Sequence, residues 1–300
     1  IMSSISAWVG LPKAAAYGPT KAALRSFGQS IRYDLNSKGI KVQVCSPGFV
    51  ETSATSSNDF YMPGLMNVNK AAELIYKNMK SNKKIDINAD IGEYLNEDEF
   101  RNEILLIEHI TSASIACGGH AGDHHSMNNM IDRCIQNNVL YGPHPSYPDK
   151  KGFGRRNISV NDETLMKSIE HQVSEFMDIA KDYDKEPTHI KFHGQLYNDC
   201  FNDRGLSEIC VATLDAVCPD LALICQSYSE ISDIAQKSGI NVIHEAFIDR
   251  NYQANGALIN RINRDAIVSS MEGQVRQALK IVLKGKVMTK NSKHIQKIIC

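Results

Sequence analysis

Between residues 85 and 247 the chain carries six short apolar runs, and each stops abruptly at a cluster of polar and glycine residues. They are Ile85 to Glu93, Ala113 to Cys117, Val139 to Gly142, Thr188 to Phe192, Leu221 to Cys225, and Asn241 to Phe247. Between them lie amphipathic stretches at helical spacing, over about 97–109, 126–137 and 161–182. Short buried strands alternating with helices are the signature of βα units around a parallel sheet. Such folds place their chemistry just beyond the strand C-termini. In Ser114 to Asp123, two glycines are followed by His120 and Asp123 before the next helix begins. In the first run, residues 86, 88 and 90 share one polar face, as period two requires. The expected fold is therefore α/β, with the six run ends converging if the sheet closes into a barrel.

Several function classes are set aside by composition. The 33 basic and 34 acidic residues give a net charge of −1, with no basic stripe for nucleic acid. No run approaches the ~20 apolar residues of a membrane span, and no signal peptide is evident at the N-terminus. The eight cysteines form no CxxC pair, and Cys45, Cys117 and Cys225 sit in apolar runs. They read as reduced, small hydrophobes in a cytoplasmic protein. The chain opens on Ile1 and stops at Cys300 in an apolar run, so both ends are expected to be cut.

Residues 1–82 follow another pattern. Tyr17 and Lys21 lie four apart, on one helix face. A cation beside a phenol favours tyrosinate, so the pair suits acid/base work on a carbonyl or alcohol. A helix is expected through Leu24, Phe27, Ile31 and Leu35, a strand over Ile40, Val42 and Val44, and a surface helix over 67–81. Ser3-Ser4, Tyr17, Lys21 and Pro47-Gly48 to Thr52 together resemble the C-terminal third of the short-chain dehydrogenase/reductase family. That resemblance implies a partial Rossmann-like fragment. In it Ser4 and Tyr17 polarise the substrate oxygen, Lys21 holds the nicotinamide ribose of NAD(P), and Thr52 lies near the nicotinamide. The glycine-rich turn that seats the pyrophosphate in such folds is missing from the chain, so NAD(P) is expected only with a further N-terminal half. The polar stretch Ser81 to Lys84 is the expected boundary.

The larger part, residues 83–300, resembles the LamB/YcsF family. The likeness rests on Asp86-Ile-Asn-Ala-Asp-Ile-Gly-Glu93, Ile115 to Asp123, His144 to Asp149, Gly152 to Arg156, Lys191 to Asn198 and Glu245 to Arg250, in family order. Gly119, Ser146 and Phe192 stand where the family usually has an aromatic, glycine and proline. The resemblance implies a (β/α) barrel of the glycoside hydrolase/deacetylase type, lacking its last elements here. It also implies ATP-dependent opening of the 5-oxoproline lactam to glutamate, as the A subunit of a 5-oxoprolinase beside subunits B and C.

That chemistry needs a base, cations near a phosphoryl group, and donors for an oxyanion. Asp86, Asp90, Asp123, Glu245 and Asp249 are the candidate carboxylates, and His120, His144 and His193 the candidate bases. Arg155, Arg156, Lys191 and Arg250 are candidate cations, with Asn88, Tyr197 and Asn198 as polar substrate contacts. ATP with magnesium is the expected cofactor. A second divalent ion on Asp90, His120 and His144 is a sensible oxygen/nitrogen set, by analogy with the deacetylase fold. His124 and His125 read as exposed residues at a helix start. Two other functions are carried forward: NAD(P)-dependent oxidoreduction through Ser4, Tyr17 and Lys21, and a binding subunit or fusion fragment without activity.

Overall fold

A computed structural model describes residues 1–11, 14–36, 38, 40, 42–53, 55–56, 58–62, 64–80, 86–288 and 295–297. The chain divides into two compact units, Ile1–Lys84 and Ile85–Cys300. The expected boundary stretch, 81–84, lies outside the described residues.

In the first unit, α1 spans Tyr17–Asn36 and α2 spans Val68–Lys80. Pro19 falls in the first turn of α1, where no intrahelical N–H is lost. The strand expected over Ile40, Val42 and Val44 is not formed as a ladder among the described residues. Instead Met2 bridges Cys45 in parallel, with Ser3 N–H donating to Cys45 O (2.7 Å) and Ile5 N–H to Pro47 O (3.0 Å). Alternation of apolar residues gives a strand a face; only a neighbouring backbone gives it a ladder.

The second unit alternates strands and helices. In order they are β1 (Asn88–Ile91), α3 (Glu97–Ile107), β2 (Ser112–Ala116), α4 (His124–Gln136), β3 (Leu140–His144) and α5 (Asp162–Ala180). There follow β4 (His189–Lys191), α6 (Gly194–Asp199), α7 (Arg204–Val217), β5 (Ala222–Gln226), α8 (Glu230–Lys237) and β6 (Val242–Glu245). Then come α9 (Met271–Lys284) and the antiparallel pair β7 (Lys286–Met288) and β8 (Ile295–Lys297). Each of the six expected runs yields one strand. They form two parallel sheets, β1–β2–β3 and β4–β5–β6.

The sheets meet at β3 and β4. Thr188 N–H donates to Tyr141 O (2.9 Å), and His193 N–H donates to Pro145 O (2.8 Å). Gly142 permits this approach, because a Cβ there would overlap the carbonyl of His189. Among the described residues no ladder joins β1 to β6. The wall is nonetheless curved: Lys191 on β4 reaches Asp90 on β1 and Glu245 on β6, at 3.0 Å each.

One apolar core packs α4 and α5 on the first sheet through Met127, Met130, Ile131, Phe176 and Ile115. A second packs α5, α7 and α8 on the other sheet through Ile169, Val173, Leu214, Ile234 and Leu223. The helices begin at side-chain caps: Asn96 for α3, Asn161 for α5, Asp203 for α7 and Ser229 for α8. Both cores lie outside the strand wall and leave its C-terminal ends to polar residues. No described helix is long and apolar enough to cross a membrane.

Candidate active site at the strand ends

On β1, Asn88 and Asp90 point to the same side. Asn88 Oδ1 accepts from Ser114 Oγ (3.2 Å) and Lys191 Nζ (3.3 Å). Lys191, only 4% exposed, is thus held by Asn88, Asp90 and Glu245. Burial would lower its pKa, but the two carboxylates overcome this and raise it above the usual lysine range. Burial likewise works to raise the Asp90 carboxyl, and His144 and Lys191 hold it well below the usual carboxylate range instead. The ammonium is therefore charged and fixed, with a carboxylate on either side.

Beside it, three imidazoles close on one more carboxylate. His120 follows β2, His144 ends β3, His193 follows β4, and Glu93 lies in the loop after β1. His120 Nε2 lies 2.9 Å from Glu93 Oε1, and His193 Nδ1 lies 3.2 Å from the same oxygen. His193 Nδ1 also lies 2.9 Å from His144 Nε2, and Asp90 Oδ2 lies 3.3 Å from that Nε2. The rings of His120 and His193 stack at 3.6 Å. Burial pushes His120 down to about 4, against the opposing pull of Glu93, and also lowers His193. For Glu93, burial is outweighed by its bonds to His120 and His193, so it stays ionised.

The loop that presents Glu93 is held from α3. Glu103 accepts from Gly92 N–H (2.7 Å) and Glu93 N–H (3.1 Å). Burial raises Glu103 to about 7 despite those bonds. On the other side Gly154, at φ +60°, lies flush against the rings. A Cβ there would sit 2.9 Å from His120 Cβ and 3.0 Å from His193 Cδ2.

A cleft of about 380 Å3 opens over this floor. Asp90, Lys191 and His193 form its base, with Gln195, Tyr197, Asn198, Phe247 and three arginines, Arg155, Arg250 and Arg261, around it. Burial, and then the charge of Arg261, lower Arg155 and Arg250. Clustered guanidiniums of this kind suit carboxylate or phosphoryl oxygens. Burial and then Glu245 push the Tyr197 phenol well above its ordinary value, so it stays a neutral donor. Asn198 Nδ2 donates to Gly194 O (3.0 Å).

Of the residues expected from sequence, Asp90, Asn88, His120, His144, His193, Lys191, Glu245, Arg155, Tyr197, Asn198 and Arg250 are brought together here. Arg250 is partly structural, its Nη2 donating to Ile259 O (2.7 Å). Others are placed elsewhere. Asp86 lies at the far end of the strand wall, taking hydrogen bonds from Thr111 and Ser112 hydroxyls (2.6 Å each). Asp123 is exposed and caps α4, forming a capping box with Ser126. Arg156 pairs with Asp149 and not with the cleft. Asp249 is absent from the cleft lining, and its carbonyl accepts from Val268 N–H (2.8 Å).

The expected metal set changes likewise. Asp90 is occupied by Lys191 as well as His144, and the convergent group is Glu93 with His120, His144 and His193. Glu93, Glu103 and Arg261 are not among the residues expected from sequence. Glu93 ends the first polar-faced run, so its position is a usable signal. Arg261 has none, because it comes from an irregular stretch after β6. The space that a side chain at Gly119 would need is filled by Gln172 and Ser146, which is why glycine is tolerated there.

In the first unit, Tyr17 is exposed and Lys21 Nζ lies 5.4 Å from its ring centroid. Lys21 Nζ also donates to Met2 O (3.3 Å). Ser4 is buried and accepts from Ser6 N–H (3.3 Å), and Thr52 is tied to Thr55.

These features define an α/β protein with a carboxylate–lysine–histidine centre at the strand C-termini. Residues 85–299 match the LamB/YcsF family, and the chain belongs to that family. Residues 1–60 match the short chain dehydrogenase family. The 5-oxoprolinase A subunit of Alkaliphilus metalliredigens is 33% identical over 212 residues, 71% of this chain and 83% of that protein. The 5-oxoprolinase A subunit of a bovine strain of Staphylococcus aureus is 33% identical over 212 residues, 71% of this chain and 85% of that protein. Among solved structures, the lactam utilization protein of Thermus thermophilus superposes with a TM-score of 0.65 at 29% identity. That match covers 72% of this chain and 87% of the other.

Proposed function

We propose that the second unit opens a cyclic amide, and specifically that it hydrolyses 5-oxoproline to glutamate with ATP, as the A subunit of a 5-oxoprolinase beside subunits B and C. The observation that carries this reading is the buried Asp90–Lys191–Glu245 array set under a cleft ringed by Arg155, Arg250 and Arg261. A lactam is a poor electrophile. Transfer of the ATP γ-phosphoryl group to the amide oxygen, with release of ADP, makes its carbon attackable by water; the C–N bond then breaks as the nitrogen takes a proton, and a second water cleaves the resulting acyl phosphate to glutamate and phosphate. The arginines would hold the substrate carboxylate and the phosphoryl oxygens. Lys191 would stabilise charge growing on the amide oxygen. Asp90, ionised at neutral pH, would take the proton of the attacking water, and the Tyr197 phenol would donate to the departing nitrogen. ATP with magnesium is the cofactor of this scheme.

The same reading takes the six strands as an incomplete (β/α) barrel, supported by Lys191 touching both β1 and β6. It takes residues 1–82 as the C-terminal fragment of a short-chain dehydrogenase, supported by Tyr17 and Lys21 on one face of α1. The test is ATP-dependent release of glutamate from 5-oxoproline by the full chain mixed with subunits B and C of a bacterial 5-oxoprolinase. Release that requires this chain is the expected result. Folded chain that adds no turnover to B and C refutes the lactam assignment.

A further inference from the structure

The hydrogen positions in the histidine cluster can be deduced from its backbone contacts. His144 Nδ1 lies 2.7 Å from the carbonyl oxygen of Lys191. A carbonyl only accepts, so Nδ1 carries the hydrogen and Nε2 carries a lone pair. His193 Nε2 lies 3.1 Å from the carbonyl oxygen of Phe153, so His193 Nδ1 carries its lone pair. These two lone pairs face each other at 2.9 Å. Glu93 Oε1, also an acceptor, lies 3.2 Å from His193 Nδ1 and 2.9 Å from His120 Nε2. Three acceptors meet here, with Asp90 Oδ2 a further one at 3.3 Å from His144 Nε2, and they repel unless a cation sits among them. His120, the fourth member, finds Glu93 at Nε2, while its Nδ1 is buried without a partner among the described residues.

We propose that Glu93, His120, His144 and His193 form a binding site for one first-row divalent cation of the zinc type. The four ligand atoms all lie within 4.8 Å of one another. Tetrahedral zinc with bonds of about 2.0–2.1 Å needs ligand atoms roughly 3.4 Å apart, close to the 2.9–3.2 Å separations above. Three imidazoles and one carboxylate favour zinc, cobalt or nickel over magnesium, which prefers oxygen ligands. The outer contacts fit as well. Carbonyls of Lys191 and Phe153 fix two imidazoles with the correct nitrogen presented, as in metal sites generally. Glu103 fixes the loop of Glu93 through two backbone N–H groups. The alternative occupant of the centre is an extra proton, making one imidazole cationic.

The experiment is direct metal binding by the full chain, stripped with a chelator and titrated with Zn2+ and with Co2+. The readouts are metal content after dialysis, calorimetric affinity, and the visible absorption of bound cobalt. The proposal expects one tightly held equivalent, a cobalt spectrum of a nitrogen-rich site, and a melting temperature that rises with zinc. His144→Ala and the near-isosteric Glu93→Gln should each weaken zinc by about a hundredfold or more, since even outer contacts contribute 10–100-fold. His124→Ala/His125→Ala, which removes two exposed histidines at the start of α4, should bind like the parent. Circular dichroism confirms that each variant is folded; if His144→Ala is not, Glu93→Gln decides. Zinc bound no better by the parent than by folded Glu93→Gln overturns the proposal and leaves the proton as occupant. Because no lactam or ATP is present, this result is independent of the activity test: metal without turnover refutes only the lactam reading, and turnover without metal refutes only the cation.

Discussion

Lys191→Met removes the ammonium that sits 3.0 Å from both Asp90 and Glu245 and keeps a side chain of similar length. The loss is not of a surface ion pair, for which about 0–1 kcal/mol would be expected. Lys191 is 4% exposed and Glu245's side chain 13%, so Glu245 is left without its cation in a poorly solvated place, whereas Asp90, 31% exposed, keeps His144 and some contact with water. Breaking a buried pair from one side costs about 3–5 kcal/mol, a large part of the roughly 5–15 kcal/mol that holds a domain together.

The pH dependence follows from the two shifts. Lys191 is raised, so its contribution is present below its unfolded pKa of about 10.4 and is lost as pH rises through the folded value. Asp90 is lowered, so its contribution is present above about pH 3.9 and is lost as pH falls through the folded value. Between those limits the parent is flat with respect to this pair. In the variant, burial acts on Asp90 with one cation fewer, so acidification should narrow the gap to the parent. Urea unfolding of parent, Lys191→Met and Lys191→Met/Glu245→Gln at several pH values reads all of this. The double variant should recover at least about 1 kcal/mol by removing one stranded charge. A single variant within about 0.5 kcal/mol of the parent would refute the account of the site as a buried, charge-balanced array.

Gly142→Ala places a Cβ on the carbonyl of His189 where the two sheets meet; a loss of at least about 1–3 kcal/mol or insoluble expression is expected, and an unchanged melting temperature would refute the close approach. His189 is pushed by burial down to about 4. The unfolded chain therefore takes up the proton first, so stability is full above about pH 6.5 and falls towards pH 4, by about 3 kcal/mol. His189→Gln, which can still donate to Ala113 O, should flatten that part of the urea-midpoint curve, whereas parallel curves would refute the assignment. If the arginines of the cleft hold the anionic substrate, Arg155→Ala raises KM for 5-oxoproline or ATP by at least about tenfold, the loss of one charge-assisted hydrogen bond. Arg156→Ala, whose parent side chain pairs with Asp149 outside the cleft, should leave KM unchanged; equal effects of the two would refute their separation.

The strand runs of the second unit and its first three helices were legible in the sequence because both depend on neighbours along the chain. Period two placed Asn88 and Asp90 together, and polar residues at or just beyond the run ends marked His120, His144, Lys191 and His193. The family motifs, matched over 85–299, added which runs belong together. What local pattern could not decide was which polar residue at each run end turns inward. Asp86 shares its strand face with Asp90, yet lies at the wrong end of it and binds Thr111 and Ser112. Asp123 looked as reactive as His120, but the first free N–H groups of α4 claim it. Of the adjacent pair Arg155 and Arg156, one faces the cleft and the other takes Asp149. Glu93, His120, His144 and His193 come from four separate strand ends, and their meeting at one point depends on the curvature of the wall. The sequence by itself determined the six strands of the second unit, its first three helices and the stock of reactive groups; the tertiary structure alone decided which groups meet, because burial and distance between remote segments have no local signature in the chain.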